Sequence, residues 1–458
     1  MLHRLATNFV AGIRRRLKSL GLPVVRSRAA SPAVQDDADK QFLQCIQFSD
    51  RGEFDQARDC YQKVLQINPL HAKTHNNLGI IYHRNGNLEE ATEALKRATT
   101  IDPSLTEAYV NLGNLMQDKH DLESALKYYD AALRLDPKLA HARYSRATTL
   151  LAMGRFEEGW QEYEWRWQLP GALFVSRDFT RPRWDGNQNI DRKRVLLFAE
   201  QGFGDTLQFI RYASMVAARG AHVIIECRPE LRSLLQTAEG IHSVAQLGQP
   251  LPEFDYEIPI MSLPLTFKTR LETIPAKVPY LFPDELAINS WRSRLYPNVY
   301  KLKIGLVWAG DPGFVRAREK SCPLEGLTGL FDVPGCSFFS LQMGAAKKHV
   351  AALNDTRQVI TDYTSDLKNF SDTAAFIAAL DLVITIDTAV AHLAGALARP
   401  VWVMLPFSPD WRWLMKGEHT PWYPTMRLFR QLSVGNWDHV IEQVRQALVG
   451  RCSPLDRP

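Results

Sequence analysis

Pro69, Pro103 and Pro137 recur at a step of 34 residues, in NPL, DPS and DPK, and Ala57, Ala91 and Ala125 keep the same step. Gly79 and Gly113 follow it with Ala147 next in phase, while Gly52, Gly86 and Gly154 mark a further position at which His120 fills the gap. A fixed period of this length constrains the fold more than any composition can. Each unit is one supersecondary element that cannot bury its apolar face alone, so neighbours must stack. The residue types suit two helices per unit. Small side chains at Gly79 and Ala91 let paired helices approach, Tyr82 and Leu95 fill the space between them, and each proline closes one unit and opens the next.

This pattern resembles the tetratricopeptide repeat. It spans roughly residues 38–170, and its last unit, ending in GWQEYEWRWQLP, departs from the pattern with Gly159, Trp160, Trp165 and Trp167. A terminal repeat is atypical because it caps the stack or docks onto the next domain. Arrays of this kind offer a groove to a peptide or protein. Asn76, Asn77 and Asn111 read as exposed, and Asn77 and Asn111 are the candidate groove contacts, with plain solvated surface as the other reading.

After residue 190 the texture changes to short apolar runs alternating with helical runs. Val195–Ala199, His222–Cys227, Tyr256–Ile260, Ile304–Trp308, Phe338–Leu341, Leu382–Ile386 and Val401–Leu405 read as buried strands of a doubly wound α/β fold. The turn-rich span from Pro275 to Pro297 divides two such units. The expected organisation is a basic tail over 1–37, repeats over 38–170, and two Rossmann-like halves over 171–295 and 296–458.

Ligands of open α/β sheets bind beyond the carboxyl ends of the strands, so the turns there carry the candidate chemistry. AEQGFGDTLQFIRYA places Gly202, Gly204 and Asp205 between a strand and a helix. It approaches a dinucleotide fingerprint, with Glu226 at the end of the next strand, but Leu207 stands where the third glycine belongs. Asp205 reads either as a helix N-cap or as a carboxylate that takes a proton from a substrate hydroxyl. In IGLVWAGDPGFVRAREKSCPL, Gly310, Asp311 and Gly313 precede Arg316, Arg318 and Lys320, which suits either a phosphate-holding turn or a solvated basic loop. TIDTAVAHLAGALARP puts Asp387 and Thr388 at the end of a buried strand, with His392 one turn along the following helix. The free N–H groups at that helix start favour an anion, which Thr388 and His392 could help bind, whereas Asp387 suits sugar hydroxyls. Taken singly, Thr388 also reads as an N-cap and His392 as a satisfied core residue.

In combination these turns are more informative. The order of Gly204-Asp205 with Leu207, then Lys320 followed by CPLEGL, then SDTAAFIAALDLVITIDTAVAHLAGALARPV resembles glycosyltransferase family 9, the heptosyltransferase-like enzymes, over roughly residues 193–450. Joined to the repeats, the chain is similar to bacterial repeat-containing glycosyltransferases and, more broadly, to the protein O-linked N-acetylglucosamine transferases. The resemblance implies a GT-B pair of Rossmann-like domains. It also implies inverting transfer of a sugar, hexosyl or heptosyl, from a nucleotide-sugar donor to a protein or glycan acceptor; no DxD motif sits on a strand end, so no metal or other cofactor is expected. Carried onto this sequence it makes Asp205 the base, Lys320 a diphosphate ligand, Asp387 a sugar contact, and Thr388 and His392 donor-phosphate contacts. The turns themselves add Gly310 as a donor-side candidate and Gly202 and Gly204 as acceptor or loop candidates. Ala389 stands where that family has glycine, and its methyl group would crowd a phosphate. The competing readings are a repeat-based adaptor with an inactive transferase domain, and a nicotinamide-dependent enzyme suggested by GFGD and Glu226.

The charge is unevenly placed. The chain carries +5 in all, yet residues 1–35 hold seven arginines and lysines and no acid, which leaves the remainder at −2. The body is therefore not a nucleic-acid binder. The basic start reads as a lipid-surface helix or as a frayed tail, giving a cytoplasmic protein with a membrane-peripheral variant of that reading. The six cysteines lack CxxC or metal-ligand spacing and read as reduced thiols.

Overall fold

The computed structural model describes residues 31–169, 177, 179–296, 301–313, 316–355 and 359–452. Contacts divide the chain into two units, one ending at Leu150 and the other starting at Leu151. Most of the basic tail, with the membrane-contact reading attached to it, lies outside the described residues.

The first unit is built from helix pairs. They are α1 (Pro32–Asp50) with α2 (Phe54–Ile67), α3 (Ala72–Arg84) with α4 (Leu88–Ile101), α5 (Thr106–Asp118) with α6 (Leu122–Leu135), and then α7 (Ala140–Ala152), whose last two residues enter the second unit. Pro69, Pro103 and Pro137 each fall two residues beyond the end of α2, α4 and α6. The small residues do what their period implies. A Cβ on Gly79 would lie 2.5 Å from Leu95 Cγ, and one on Gly113 would lie 2.4 Å from Tyr129 Cε1, so the same contact recurs one repeat later. Gly52, Gly86 and Gly154 turn with φ of 75°, 81° and 78°, and His120 takes the same left-handed conformation at 61°.

One expectation about the cysteines fails here. Cys45 and Cys60 are joined in a disulfide across α1 and α2, with Cα atoms 5.4 Å apart. Their separation of 15 residues matches no short pairing motif, but folding the two helices back on each other brings both into one interface. Cys227, Cys322, Cys336 and Cys452 are free.

The second unit opens with α8 (Phe156–Tyr163) and a 3₁₀ turn over Glu164–Gln168. Gly159 here lies against Leu151, where a Cβ would sit 2.6 Å from Leu151 Cδ2. Two parallel sheets come next along the chain. The first contains β1 (Arg194–Phe198), β2 (His222–Cys227), β3 (Ser243–Gln246) and β4 (Tyr256–Pro259) in the order β3-β2-β1-β4. The second contains β5 (Leu302–Val307), β6 (Cys336–Ser340), β7 (Ile360–Asp362), β8 (Leu382–Ile386), β9 (Val401–Leu405) and β10 (Met426–Arg430) in the order β10-β9-β8-β5-β6-β7. Central strands such as β8 and β9 are buried along their whole length, as a parallel sheet covered on both faces requires. The helical repeats followed by two Rossmann-like sheets are the architecture the sequence implied.

In the first sheet the chain leaves β1 toward β2 and returns on the other side at β4. In the second it leaves β5 toward β6 and returns at β8. The strand order therefore reverses beside β1, and between β5 and β8, where open α/β sheets form their ligand crevices. All three candidate turns follow β1, β5 or β8.

Candidate active site

The turn after β1 leads into a helix over Phe203–Phe209, with Gly202 as its N-cap. Asp205 is the third residue of that helix and not its N-cap, but it closes the helix start from that position as a capping-box residue, so the capping alternative holds in a shifted form. Its Oδ2 reaches back to accept the Gly202 N–H at 2.9 Å, and its Oδ1 accepts a hydrogen bond from Arg412 Nη2. Arg412 also donates to Asp410 Oδ1 at 2.8 Å and to Gln208 Oε1 at 2.8 Å. About a fifth of the Asp205 side chain stays accessible. Burial pushes its carboxyl above the ordinary aspartate range, against the pull of Arg412. Asp410 is held down at about 2: burial works against its charge, and Arg412 and Lys320 overcome it.

The turn after β5 is less open than expected. The Gly310 N–H is engaged by Ser321 Oγ at 3.1 Å and the Gly313 N–H by Asp311 Oδ1 at 3.0 Å, so neither amide is free for a phosphate. A Cβ on Gly310 would meet Ala317 only at ordinary contact distance, so this position does not demand glycine. Lys320 Nζ instead makes an ion pair of 2.6 Å with Asp387 Oδ2, at the carboxyl end of β8. Burial disfavours its ammonium, but Asp387 and Asp410 outweigh that effect and raise its pKa. A protonated lysine carries three donors, so one such pair leaves donors for a second partner.

The third turn ends in a helix over Ala389–Ala396 whose N-cap, Thr388, makes no side-chain capping bond. Thr388 Oγ1 lies 3.1 Å from Thr385 Oγ1. His392 is buried, stacks on Trp413 with ring centroids 5.2 Å apart, and places Nδ1 3.0 Å from the Tyr423 hydroxyl. Burial lowers its pKa to about 3, so the ring is neutral and cannot act as a cation. Gly204 permits this arrangement. A Cβ there would lie 3.0 Å from His392 Cδ2 and 3.6 Å from the Cα of Ala389, so the missing side chain lets the two helices pack directly. Gly204 thus serves helix packing and not an open acceptor loop.

Asp205, Lys320, Asp387, Thr388 and His392 therefore meet where the two sheets' helices join. Sequence reasoning missed Asp410 and Arg412, which lie in the aperiodic stretch FSPDWRW, and Tyr423 in PWYP. It also missed the buried pair of Arg166 and Glu200 beside the β1 turn, 3.1 Å apart, whose carboxyl is pushed up to about 7 by burial. The nicotinamide reading loses support at Glu226, because Arg177 Nη2 binds its Oε1 at 2.7 Å. Among the described residues, no group of three or more His, Cys, Asp or Glu side chains could hold a metal ion. No helix among them is long and apolar enough to cross a membrane.

In the first unit the candidate groove residues bond to other side chains of the array. Asn77 Nδ2 donates to Tyr61 Oη at 2.9 Å, and Asn111 Nδ2 donates to Asn76 Oδ1 at 2.8 Å. Asn76 is buried and Asn77 and Asn111 are half-buried, not exposed as expected. Family models match along this stretch: a TPR repeat over residues 47–86 and tetratricopeptide repeats over 72–105 and 106–139. The first unit is a tetratricopeptide-repeat array. Across a longer span the chain is 30% identical over 331 residues to Protein FlbA of Caulobacter vibrioides, covering 67% of this chain and 54% of that protein. The chain thus spans about half the length of this curated relative. Among solved structures, a glycosyl transferase family 9 protein from Veillonella parvula aligns with 58% of this chain and 99% of its own, at 10% identity and a TM-score of 0.46. The first TPR of Spaghetti (RPAP3), bound to an HSP90 peptide, aligns with 25% of this chain and 91% of its own, at 25% identity and a TM-score of 0.24.

Proposed function

We propose that the second unit is a glycosyltransferase that moves a sugar from a nucleotide-sugar donor to an acceptor hydroxyl, and that the repeat array holds the acceptor or a partner protein. The observation that carries this reading is the state of Asp205. It is anchored on both oxygens yet keeps free lone pairs, is partly accessible, and has a raised pKa that suits a general base. An acceptor oxygen attacks the anomeric carbon as its proton passes to Asp205, and the bond to the nucleoside diphosphate breaks with its electron pair leaving on the diphosphate. A single displacement of this kind inverts the anomeric centre. Lys320, Thr388 and the N–H groups at the start of the Ala389–Ala396 helix face the departing charge, so the chain's own groups take the part a metal or other cofactor would otherwise play. Asp387, with its remaining lone pairs, is the contact for donor-sugar hydroxyls. A hexosyl or heptosyl donor fits this chemistry.

The test is a panel of nucleotide sugars scored for nucleoside diphosphate release with cell extract as acceptor. Release with one donor, abolished in Asp205→Asn, supports the reading; no release and no binding with any donor overturns it. One observation favours the adaptor reading: the Gly310 and Gly313 amides are already engaged by Ser321 Oγ and Asp311 Oδ1, so the turn after β5 offers neither to a phosphate. In that case the nucleotide panel stays silent while the repeats still capture a protein. The compartment we assign is the cytoplasm, where nucleotide sugars are made. Alkylation of Cys45 and Cys60 during lysis checks this, since a bridge already closed in the cell would place the chain in an oxidising compartment.

A further inference from the structure

Arg211 lies in the same run that follows β1, and it is buried. Its Nε donates to Gln208 O at 2.7 Å, its Nη1 to Trp422 O at 2.7 Å and Pro275 O at 3.2 Å, and its Nη2 to the Tyr280 hydroxyl at 3.0 Å. The guanidinium carbon also lies 4.4 Å from the centre of the Tyr423 ring and 4.7 Å from that of Tyr280. The partners are carbonyls, one hydroxyl and aromatic faces, and Arg211 forms no ion pair among the described residues. Removing one guanidinium from water without a counterion is expensive. A fold that keeps it there has reason to place positive potential nearby.

The hydroxyls beside it fix a direction. Tyr280 Oη accepts from Arg211 and donates to Leu207 O at 2.8 Å. Because Tyr280 Oη already accepts from Arg211, the Tyr423 hydroxyl, 3.4 Å from it and 3.0 Å from His392 Nδ1, has the histidine nitrogen as the nearer acceptor for its own proton. That donation requires the tautomer with hydrogen on the other ring nitrogen. His392 Nε2 makes no hydrogen bond among the described residues, although the residue is only 4% exposed. It lies beside the first turn of the Phe203–Phe209 helix, 3.7 Å from where a Gly204 Cβ would be. An unpartnered donor on a buried side chain, beside the uncapped start of the Ala389–Ala396 helix, points to an absent acceptor. The local charge agrees. Lys320 and Arg412 face three carboxylates, Asp205, Asp387 and Asp410, so the site's own side chains would repel an anion unless a further cation stands behind them.

We propose that Tyr423 and Arg211 are positioning residues of a diphosphate site: Tyr423 fixes His392 as an Nε2–H donor, and Arg211 supplies the buried positive charge that draws the anion to it. This rests on the transferase reading only for the identity of the anion. Because the ring is neutral, His392 contributes a directed hydrogen bond and Arg211 the field, two roles that a single exposed lysine would combine.

The experiment uses the full chain labelled with ¹⁵N-histidine, with His392→Gln identifying the His392 signals, and calorimetry with inorganic pyrophosphate and with UDP. The expected wild-type spectrum shows a fixed Nε2–H tautomer, which Tyr423→Phe converts to a mixture. The same substitution weakens pyrophosphate on the order of 10-fold, the loss of one hydrogen bond. Arg211→Met weakens it at least as much, and Arg211→Lys restores most of the affinity, a rescue that a purely structural role would not give. An Nδ1–H tautomer in the wild type, or pyrophosphate affinity unchanged in Tyr423→Phe and Arg211→Met variants that melt normally, overturns the proposal. UDP binding that responds while pyrophosphate binding does not also overturns it, since recognition would then lie in the nucleoside. Sugar transfer failing with every donor while pyrophosphate responds as stated sinks the transferase reading and leaves this one standing.

Discussion

At the scale of single residues, Asp205 and Lys320 separate proton transfer from anion binding. Asp205→Asn keeps an acceptor for the Gly202 N–H and removes the base, so turnover is expected to fall by about 10²–10⁴ with nucleoside diphosphate affinity little changed. An active Asn variant refutes the base assignment. The pH profile gives a second check. Asp205 is raised by burial, so in the folded chain it holds its proton to higher pH than a free aspartate, and the deprotonated, working form appears only above that range. The acidic limb of kcat/KM should therefore lie above about pH 3.9, the free aspartate value. His392, at about 3, adds no limb near neutrality. Lys320→Ala should weaken nucleoside diphosphate by about 1.5–3 kcal/mol, the scale of a charged hydrogen bond; unchanged calorimetric affinity refutes that role. Asp205, Lys320, Asp387 and His392 were legible because each follows an apolar strand at a turn. Arg412 and Tyr423 were not, because their segments carry no periodicity. Arg211 did leave a trace: an arginine inside the apolar run LQFIRYA must find partners in the core.

At the scale of elements, the repeat glycines divide into two kinds that alanine substitution distinguishes. Gly86 has open space around a Cβ but φ of 81°, so Gly86→Ala should cost about 1–2 kcal/mol through backbone conformation alone. Gly113 has ordinary backbone but faces Tyr129, so Gly113→Ala should cost about 1–3 kcal/mol through overpacking, and Tyr129→Leu should relieve it. Urea unfolding of the single variants and the double mutant decides; additivity at the Gly113 pair would refute the packing account. The Cys45–Cys60 bridge closes a loop of 15 residues, so its reduction should lower the stability of the first unit by about 3 kcal/mol. Equal unfolding midpoints with and without reductant would contradict this. The strands that sequence reasoning missed, β3, β7 and β10, all lie at sheet edges. An edge strand is covered on fewer sides, so its sequence mixes polar with apolar residues: SVAQ, ITD and MRLFR lack the continuous apolar run that marked β8 and β9.

At the scale of the whole molecule, the repeats hold no catalytic constellation, so deleting residues 38–140 should reduce transfer to the native acceptor more than donor hydrolysis. Equal loss of both, in a variant shown to be folded, would make the array structural. The sequence suggested that the aromatic terminal repeat abuts the transferase half, and the structure puts it inside the second unit. Trp160 donates from Nε1 to Thr269 O at 3.1 Å and meets Phe209 and Trp411 edge-on, at ring-centroid distances of 6.3 and 5.3 Å. Phe209 belongs to the half built on the first sheet and Trp411 to the half built on the second. The α8 segment is therefore a keystone between the halves, and its sequence is committed to that place. Protein engineering inherits an asymmetric rule from it. Upstream of Leu150, each unit packs chiefly on its neighbours, so repeats should be open to addition or removal in steps of 34 residues. From Leu151 onward no cassette can be exchanged, because the apparent end of the ruler is already part of the machine.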